Sequence, residues 1–81
     1  MRKHYMTMCF RENTEVTYID TNDGIIVTYE QPVYKGFNRV DINLDGNVIL
    51  VEGFNQSEVD YYTRFTLDNK EAILLRNSEG I

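Results

Sequence analysis

The apolar pattern of this 81-residue chain changes period once, at Asn55, and that switch orders its elements. Up to about Phe54 the period is two, which belongs to half-buried strands; beyond Asn55 it lengthens to that of a helix. Met6, Met8 and Phe10 alternate with Thr7 and Cys9, so the first strand is predicted from about Tyr5 to Arg11. Glu12-Asn13-Thr14 suits a tight turn, since Asn tolerates the left-handed region. The second strand spans about Glu15 to Asp20, and its inward face is open between Val16/Tyr18 and Thr17/Ile19. Asn22-Asp23-Gly24 signals another turn before a third strand from Ile25 to Gln31. With Asp23-Gly24 as the loop pair, Tyr18 would lie opposite Tyr29 and Asp20 opposite Val27. Pro32 ends the third strand or marks a sheet edge, because it has no N–H for a ladder. Lys35-Gly36 allows a bend before a last hairpin.

Asn55-Gln56-Ser57-Glu58 forms a capping box in which each terminal residue serves the other's backbone amide. Val59, Tyr62 and Thr66, flanked by Phe65, follow at helical spacing to about Leu67. Asp68-Asn69-Lys70-Glu71 repeats an acidic start signal with Asp68 as the cap. A second helix would carry Ala72, Ile73, Leu74 and Leu75 and stop near Asn77. Two short helices are favoured over one, because Asp68-Asn69 in mid-helix forfeits propensity. The expected fold class is α+β: an antiparallel meander of four to five strands followed by two short C-terminal helices packed on one face. Residues 1–81 form a single domain, strand-rich over 5–54 and helical over 56–78.

Residues 41 to 52 propose the one definite chemistry. Asp41, Asn43 and Asp45 stand at positions one, three and five of an EF-hand calcium loop, Gly46 at six and Glu52 at twelve. Such a loop needs a helix on each side. Pro32 and Gly36 oppose the entering helix, and Gly53 interrupts the exiting one. The run Val48 to Val51, largely β-branched, prefers a pleated ladder. The segment is therefore read as a hairpin around Asp45-Gly46, with the EF-hand-like loop at 41–52 as the alternative. A two-residue loop sets Leu44 opposite Asn47, Ile42 opposite Ile49 and Val40 opposite Val51 on one apolar face. On the other face Arg39 meets Glu52, Asp41 meets Leu50 and Asn43 meets Val48. A three-residue loop with a bulge would shift this register.

No other residue set suggests catalysis. His4, the only histidine, lies near the N-terminus, where precise geometry is hard to hold. Cys9 is single, so it forms no internal disulfide, and it reads as a small hydrophobe. One Cys and one His fall short of a zinc set. Asp20 and Asp23 flank a turn, and the five glycines stand singly, without a phosphate loop. Tyr61-Tyr62 with Phe65 reads as a core stripe plus one exposed ring. The expectation is a non-enzyme with no cofactor.

The net charge of −5 disfavours direct binding to nucleic acid or anionic membrane. No apolar run reaches about 18 residues, and the stretch Tyr5 to Phe10 is short for a signal peptide, so the expected location is cytoplasmic. The stretch Phe54-Asn55, Glu58, Tyr61-Tyr62, Phe65, Asn69 and Leu74-Leu75 resembles the tails of small uncharacterised accessory proteins of bacterial mobile elements. The similarity spans about a third of the chain and carries no catalytic motif. It implies a compact accessory protein and transfers no site residue. The expected role is a small acidic interaction protein that binds a protein partner by an acidic face or a sheet edge. Val33 to Phe37 and Tyr5 to Phe10 are the candidate edges, and a homodimer through such an edge is a further expectation.

Overall fold

A computed structural model describes residues 1–8 and 13–79. Five strands form one antiparallel sheet in sequence order: β1 (Lys3–Met8), β2 (Thr14–Thr21), β3 (Gly24–Val33), β4 (Gly36–Asn43) and β5 (Val48–Glu52). Two helices, α1 (Gln56–Asp68) and α2 (Lys70–Glu79), follow and pack on one face, as the period switch predicts. Cys9 through Glu12, and with them the end of the predicted first strand, lie outside the described residues. Among the described residues no helix is long and apolar enough to cross a membrane.

The inward face of β2 is Val16 and Tyr18, both fully buried. Pairing across β3 and β4 aligns Val16, Tyr29, Val40 and Val51 in one row of that face, with Tyr18, Val27 and Ile42 in the next. Val59, Tyr62 and Ile73 from the helices close the core over these rows. At its centre the Tyr29 and Tyr62 rings stack with centroids 4.6 Å apart, and Phe54 tilts against Tyr62 at 5.1 Å. Both phenols find partners, as buried hydroxyls must: Tyr29 bonds Thr66 at 2.7 Å and Tyr62 bonds Thr14 at 3.0 Å. The Thr66 hydroxyl already donates its one proton to the Tyr62 carbonyl at 2.8 Å, so Tyr29 is the donor in its own bond.

Several sequence expectations need correction. The β2–β3 turn uses Asn22-Asp23 as its loop pair, not Asp23-Gly24, so Tyr18 pairs with Val27 and Asp20 with Ile25. Pro32 does not end β3, which runs one residue further to Val33, but on its β2 side it does lie at a local edge of the sheet. It pairs with Phe37 in a central strand, and β2 has already begun by Thr14, one residue short of reaching it, so no β2 partner needs its missing N–H. Tyr34-Lys35, with Lys35 at φ 70, turns β3 into β4; residues 33 to 37 are thus a hairpin tip, and the described edges are β1 and β5.

Asn55 caps α1 with both halves of the predicted box present: it accepts from the Glu58 amide at 2.9 Å, and its own amide donates to Glu58 Oε1 at 3.0 Å. The helix joint falls at Asn69 rather than at an Asp68 cap. Asp68 closes α1, while the Asn69 amide bonds Phe65 O and the Asn69 carbonyl accepts from Ile73, so the backbone ladder runs almost through. The Asn69 side chain ties the joint: it donates to Phe65 O and accepts from the Tyr5 hydroxyl. Tyr5 can reach it because β1 shifts register between His4 and Met6, leaving Tyr5 as an extra residue turned toward the helices. α2 runs on to Glu79 and buries Ile73 alone, with Leu74 and Leu75 exposed.

Gly53 makes the turn from β5 into α1 at φ +86, where an L side chain is strained. A Cβ there would land on the Asn38 carboxamide, which is held by Gln31 at 3.2 Å, and would stand 3.3 Å from Asn38 Cα. Gly53→Ala is expected to lose about 1–3 kcal/mol in thermal unfolding. An unchanged midpoint would show that the strand-to-helix turn relaxes freely.

Candidate functional site

The β4–β5 hairpin decides between metal loop and sheet. Its turn is tied by Asn43: the backbone amide of Asn43 donates to Asn47 O and its carbonyl accepts from Gly46, each at 3.0 Å. The Asn43 side chain accepts from the amides of Asp45 (3.0 Å) and Asn47 (2.9 Å). Leu44-Asp45-Gly46 is thus a three-residue loop, with Gly46 at φ +85. The two-residue register predicted from the sequence holds for Arg39–Glu52, Val40–Val51 and Asp41–Leu50. It fails nearer the turn, where Ile42 pairs with Val48, leaving Ile49 as an extra residue. Leu44 is buried in the core instead of facing Asn47 across the ladder.

The four calcium-loop residues do not converge. Asp41 lies in β4 and takes both prongs of the Arg39 guanidinium, at 3.1 and 3.0 Å, plus the Thr28 hydroxyl at 2.7 Å. Asn43 spends its side-chain oxygen on the turn. Asp45 sits at the tip, 3.7 Å from the Lys70 ammonium. Glu52 closes β5 at the opposite end of the hairpin. Glu52 is the Cα partner of Arg39, but the ion pair predicted between them is made instead with Asp41. Bonding to Asp41 raises the Arg39 pKa, and the charges of Glu30 and Glu52 add to that. Among the described residues no group of three or more His, Cys, Asp or Glu side chains could hold a metal ion.

The sheet face away from the helices mixes polar side chains with Ile19, Ile26 and Leu50. Thr17, Thr28, Asp41 and Leu50 form one cross-strand row, and Arg2 donates onto Thr28. Thr17 keeps a buried hydroxyl without a hydrogen-bond partner. His4, the neighbour of Thr17 in β1, is exposed, 3.3 Å from Thr7 Oγ1. Asp20 and Asp23 fall with Asp45, Asn43, Leu74 and Asn77 around an open cleft of about 340 Å³. Asn77 of α2 donates to Asp20 there, a contact across the fold, and the backbone amide of Asp23 bonds the Thr21 hydroxyl in the turn. Tyr62 enters the core, Phe65 packs beside it and Tyr61 stays exposed, matching the predicted stripe plus one ring.

The feature with no internal explanation is β5. All five of its residues are exposed, the apolar ones at 43 % (Val48), 55 % (Ile49), 38 % (Leu50) and 44 % (Val51). It has one neighbour, β4, so the backbone groups that do not pair with β4 face outward, in an alternation that the extra residue at Ile49 interrupts. Natural edges are guarded by Lys, Pro, inward charge, short length or a bulge; between Val48 and Val51 there is no Lys, Pro or charge, and the short strand with its extra residue at Ile49 is the protection present. The sequence signal was available in the unbroken apolar run, which lacks the alternation of a strand with one wet face.

No family model matches the chain, and no curated protein or solved structure matches it either.

Proposed function

We propose that this chain is a small non-enzymatic interaction protein that binds a protein partner by strand addition along β5. The carrying observation is the exposed outer edge, apolar and uncharged from Val48 to Val51 and with β4 as its one strand neighbour. Such an edge supplies main-chain hydrogen bonds for affinity and flanking apolar side chains for selection. The resemblance of the C-terminal stretch favours an accessory role in a bacterial mobile element. An acidic-face partner, held at the Asp20, Asp23 and Asp45 cleft, is the competing mode, and salt separates the two. Exposed charge contacts are screened over about 8–10 Å at physiological ionic strength, whereas apolar burial is not.

Capture from a bacterial lysate by the tagged chain should retain its partner through a high-salt wash. Capture by Ile49→Lys should lose it. A partner released by salt and indifferent to Ile49→Lys would move the site to the acidic cleft. Calcium, the alternative ligand, is expected to leave the melting temperature unchanged at millimolar concentration, because Asp41 and Asn43 already spend their oxygens on Arg39, Thr28 and the turn. A rise in melting temperature with calcium would restore the loop as a site.

A further inference from the structure

We infer that α2 is a detachable flap: it lifts off the sheet as a unit while α1 stays docked, and so joins two clefts that one hydrogen bond keeps apart. The device is independent of what binds β5.

The two helices are anchored differently. α1 buries Val59, Tyr62 and Thr66, with Phe65 packed beside them, and Tyr62 stacks on Tyr29 at the centre of the core. α2 buries one side chain, Ile73, while Leu74 and Leu75 stay 43 % and 58 % exposed. The rest of its described ties are polar. Lys70 stands 3.7 Å from Asp45, Arg76 donates to the Tyr5 carbonyl at 3.1 Å and covers the Tyr5 ring, and Asn77 donates to Asp20 at 2.8 Å. On detachment water takes over each of these polar partners, so they resist opening weakly. The apolar surface of Ile73 is what water cannot satisfy in their place. Segments with few buried apolar contacts are the ones that open below the limit set by global unfolding. The joint is fixed on the α1 side, because the Asn69 side chain is bonded to Phe65 O and the Tyr5 hydroxyl.

The two clefts lie on either side of the Asn77–Asp20 bond. One, of about 340 Å³, is the acidic cleft, lined also by Ile25, Leu44 and Leu74. The other, of about 330 Å³, lies among Met1, Lys3 and Tyr18. Asp20 and Asn77 line both, so the bond between them is the partition. Lifting α2 breaks that bond, withdraws Leu74 from the acidic cleft and frees Asp45 from Lys70. One trough then runs from Lys3 to Asp45, with Ile25 and Leu44 along it. The closed fold hides this surface, and opening presents it with the sheet still folded.

Amide hydrogen exchange on the full chain tests the flap. A ten-residue helix without support is marginal in water, so detachment exposes its amides. Amides from Ile73 to Ser78 should share one protection factor within about threefold, at least about 100-fold below that of Tyr62 to Thr66. Protection that fades gradually toward Ser78 would mean end fraying and overturn the unit. Tyr62→Phe weakens contacts made whether α2 is open or closed. It should lower protection in α1 at least about fivefold and leave α2 unchanged. Equal losses in both helices would show that α2 opens only when the whole chain unfolds. Should Tyr62→Phe fail to fold, urea below the unfolding transition replaces it. Urea should speed exchange steeply in α1 and hardly in α2, since lifting α2 exposes little surface, and equal slopes would overturn the flap. Asp20→Ala removes the partner of Asn77 without altering α2, and should lower α2 protection about two- to tenfold. No change there would overturn the bond as the partition that opening breaks.

Discussion

Tyr62→Ala is expected to remove about 3–5 kcal/mol of unfolding free energy, the scale for deleting a fully buried aromatic ring. Tyr62 has no exposed surface, and among the described residues three rings touch it: Tyr29 stacked at 4.6 Å, Phe54 at 5.1 Å and Tyr61 edge-on at 5.5 Å. These contacts join α1 to the centre of the sheet, so the cavity would open between the two layers and neither could close it alone. For 81 residues the total stability is about 4–12 kcal/mol, so this one change takes a large share of it. Tyr62→Phe keeps the stacking and removes the bond to the buried Thr14 hydroxyl, at a cost of about 1–3 kcal/mol. Urea titration of the three proteins should rank them wild type, Phe, Ala. An Ala variant within about 1 kcal/mol of wild type would mean the rings repack around the gap.

The plan of the fold was legible because each of its devices is local. The change of period at Asn55, the capping box with Glu58 and the Asp-Gly turn at 45–46 act through residues a few positions apart. Where two local solutions share one parity, sequence could not choose between them. Asn22-Asp23 and Asp23-Gly24 are both acceptable loop pairs, and moving between them slides each partner by two residues, which leaves every side chain on its own face. The choice rests on Thr21, whose hydroxyl donates to Gly24 O at 2.6 Å and accepts from the Asp23 amide. The inserted residue in β1 was hidden for a related reason: alternation predicts no bulge there, yet the extra residue at Tyr5 is what reaches Asn69 and Arg76. Arg39 illustrates a third limit. Glu52 is its cross-strand partner, but Asp41 shares its face of the same strand and is already oriented by Thr28 for a two-pronged bond. As for the candidate site, the run Val48 to Val51 was visible as strand, while its place at the outside of the sheet depends on where the meander stops.

Alkaline pH should destabilise the protein through Tyr29, and Tyr29→Phe should relieve it. Burial pushes the Tyr29 phenol well above the ordinary tyrosine range. In the unfolded chain the same phenol ionises near pH 10. Above that pH the unfolded state has lost a proton that the folded state retains, so the equilibrium shifts toward unfolding as pH rises. The stabilisation is complete below about pH 10 and falls by about 1.4 kcal/mol per pH unit above it, until the folded phenol ionises too. By about pH 11.5 the loss reaches roughly 2 kcal/mol. Tyr29→Phe has no proton to lose. At neutral pH it gives up one hydrogen bond, about 0.5–1.5 kcal/mol, and Thr66 keeps its own bond to the Tyr62 carbonyl. The two proteins differ at this one residue, so the difference between their stability curves isolates this phenol. Urea unfolding measured from neutral to alkaline pH should show the wild type ahead at first and the curves crossing between about pH 10 and 11.5. Parallel curves would mean that Tyr29 reaches water in the folded state, and the stacked Tyr29–Tyr62 centre would then have to open at high pH.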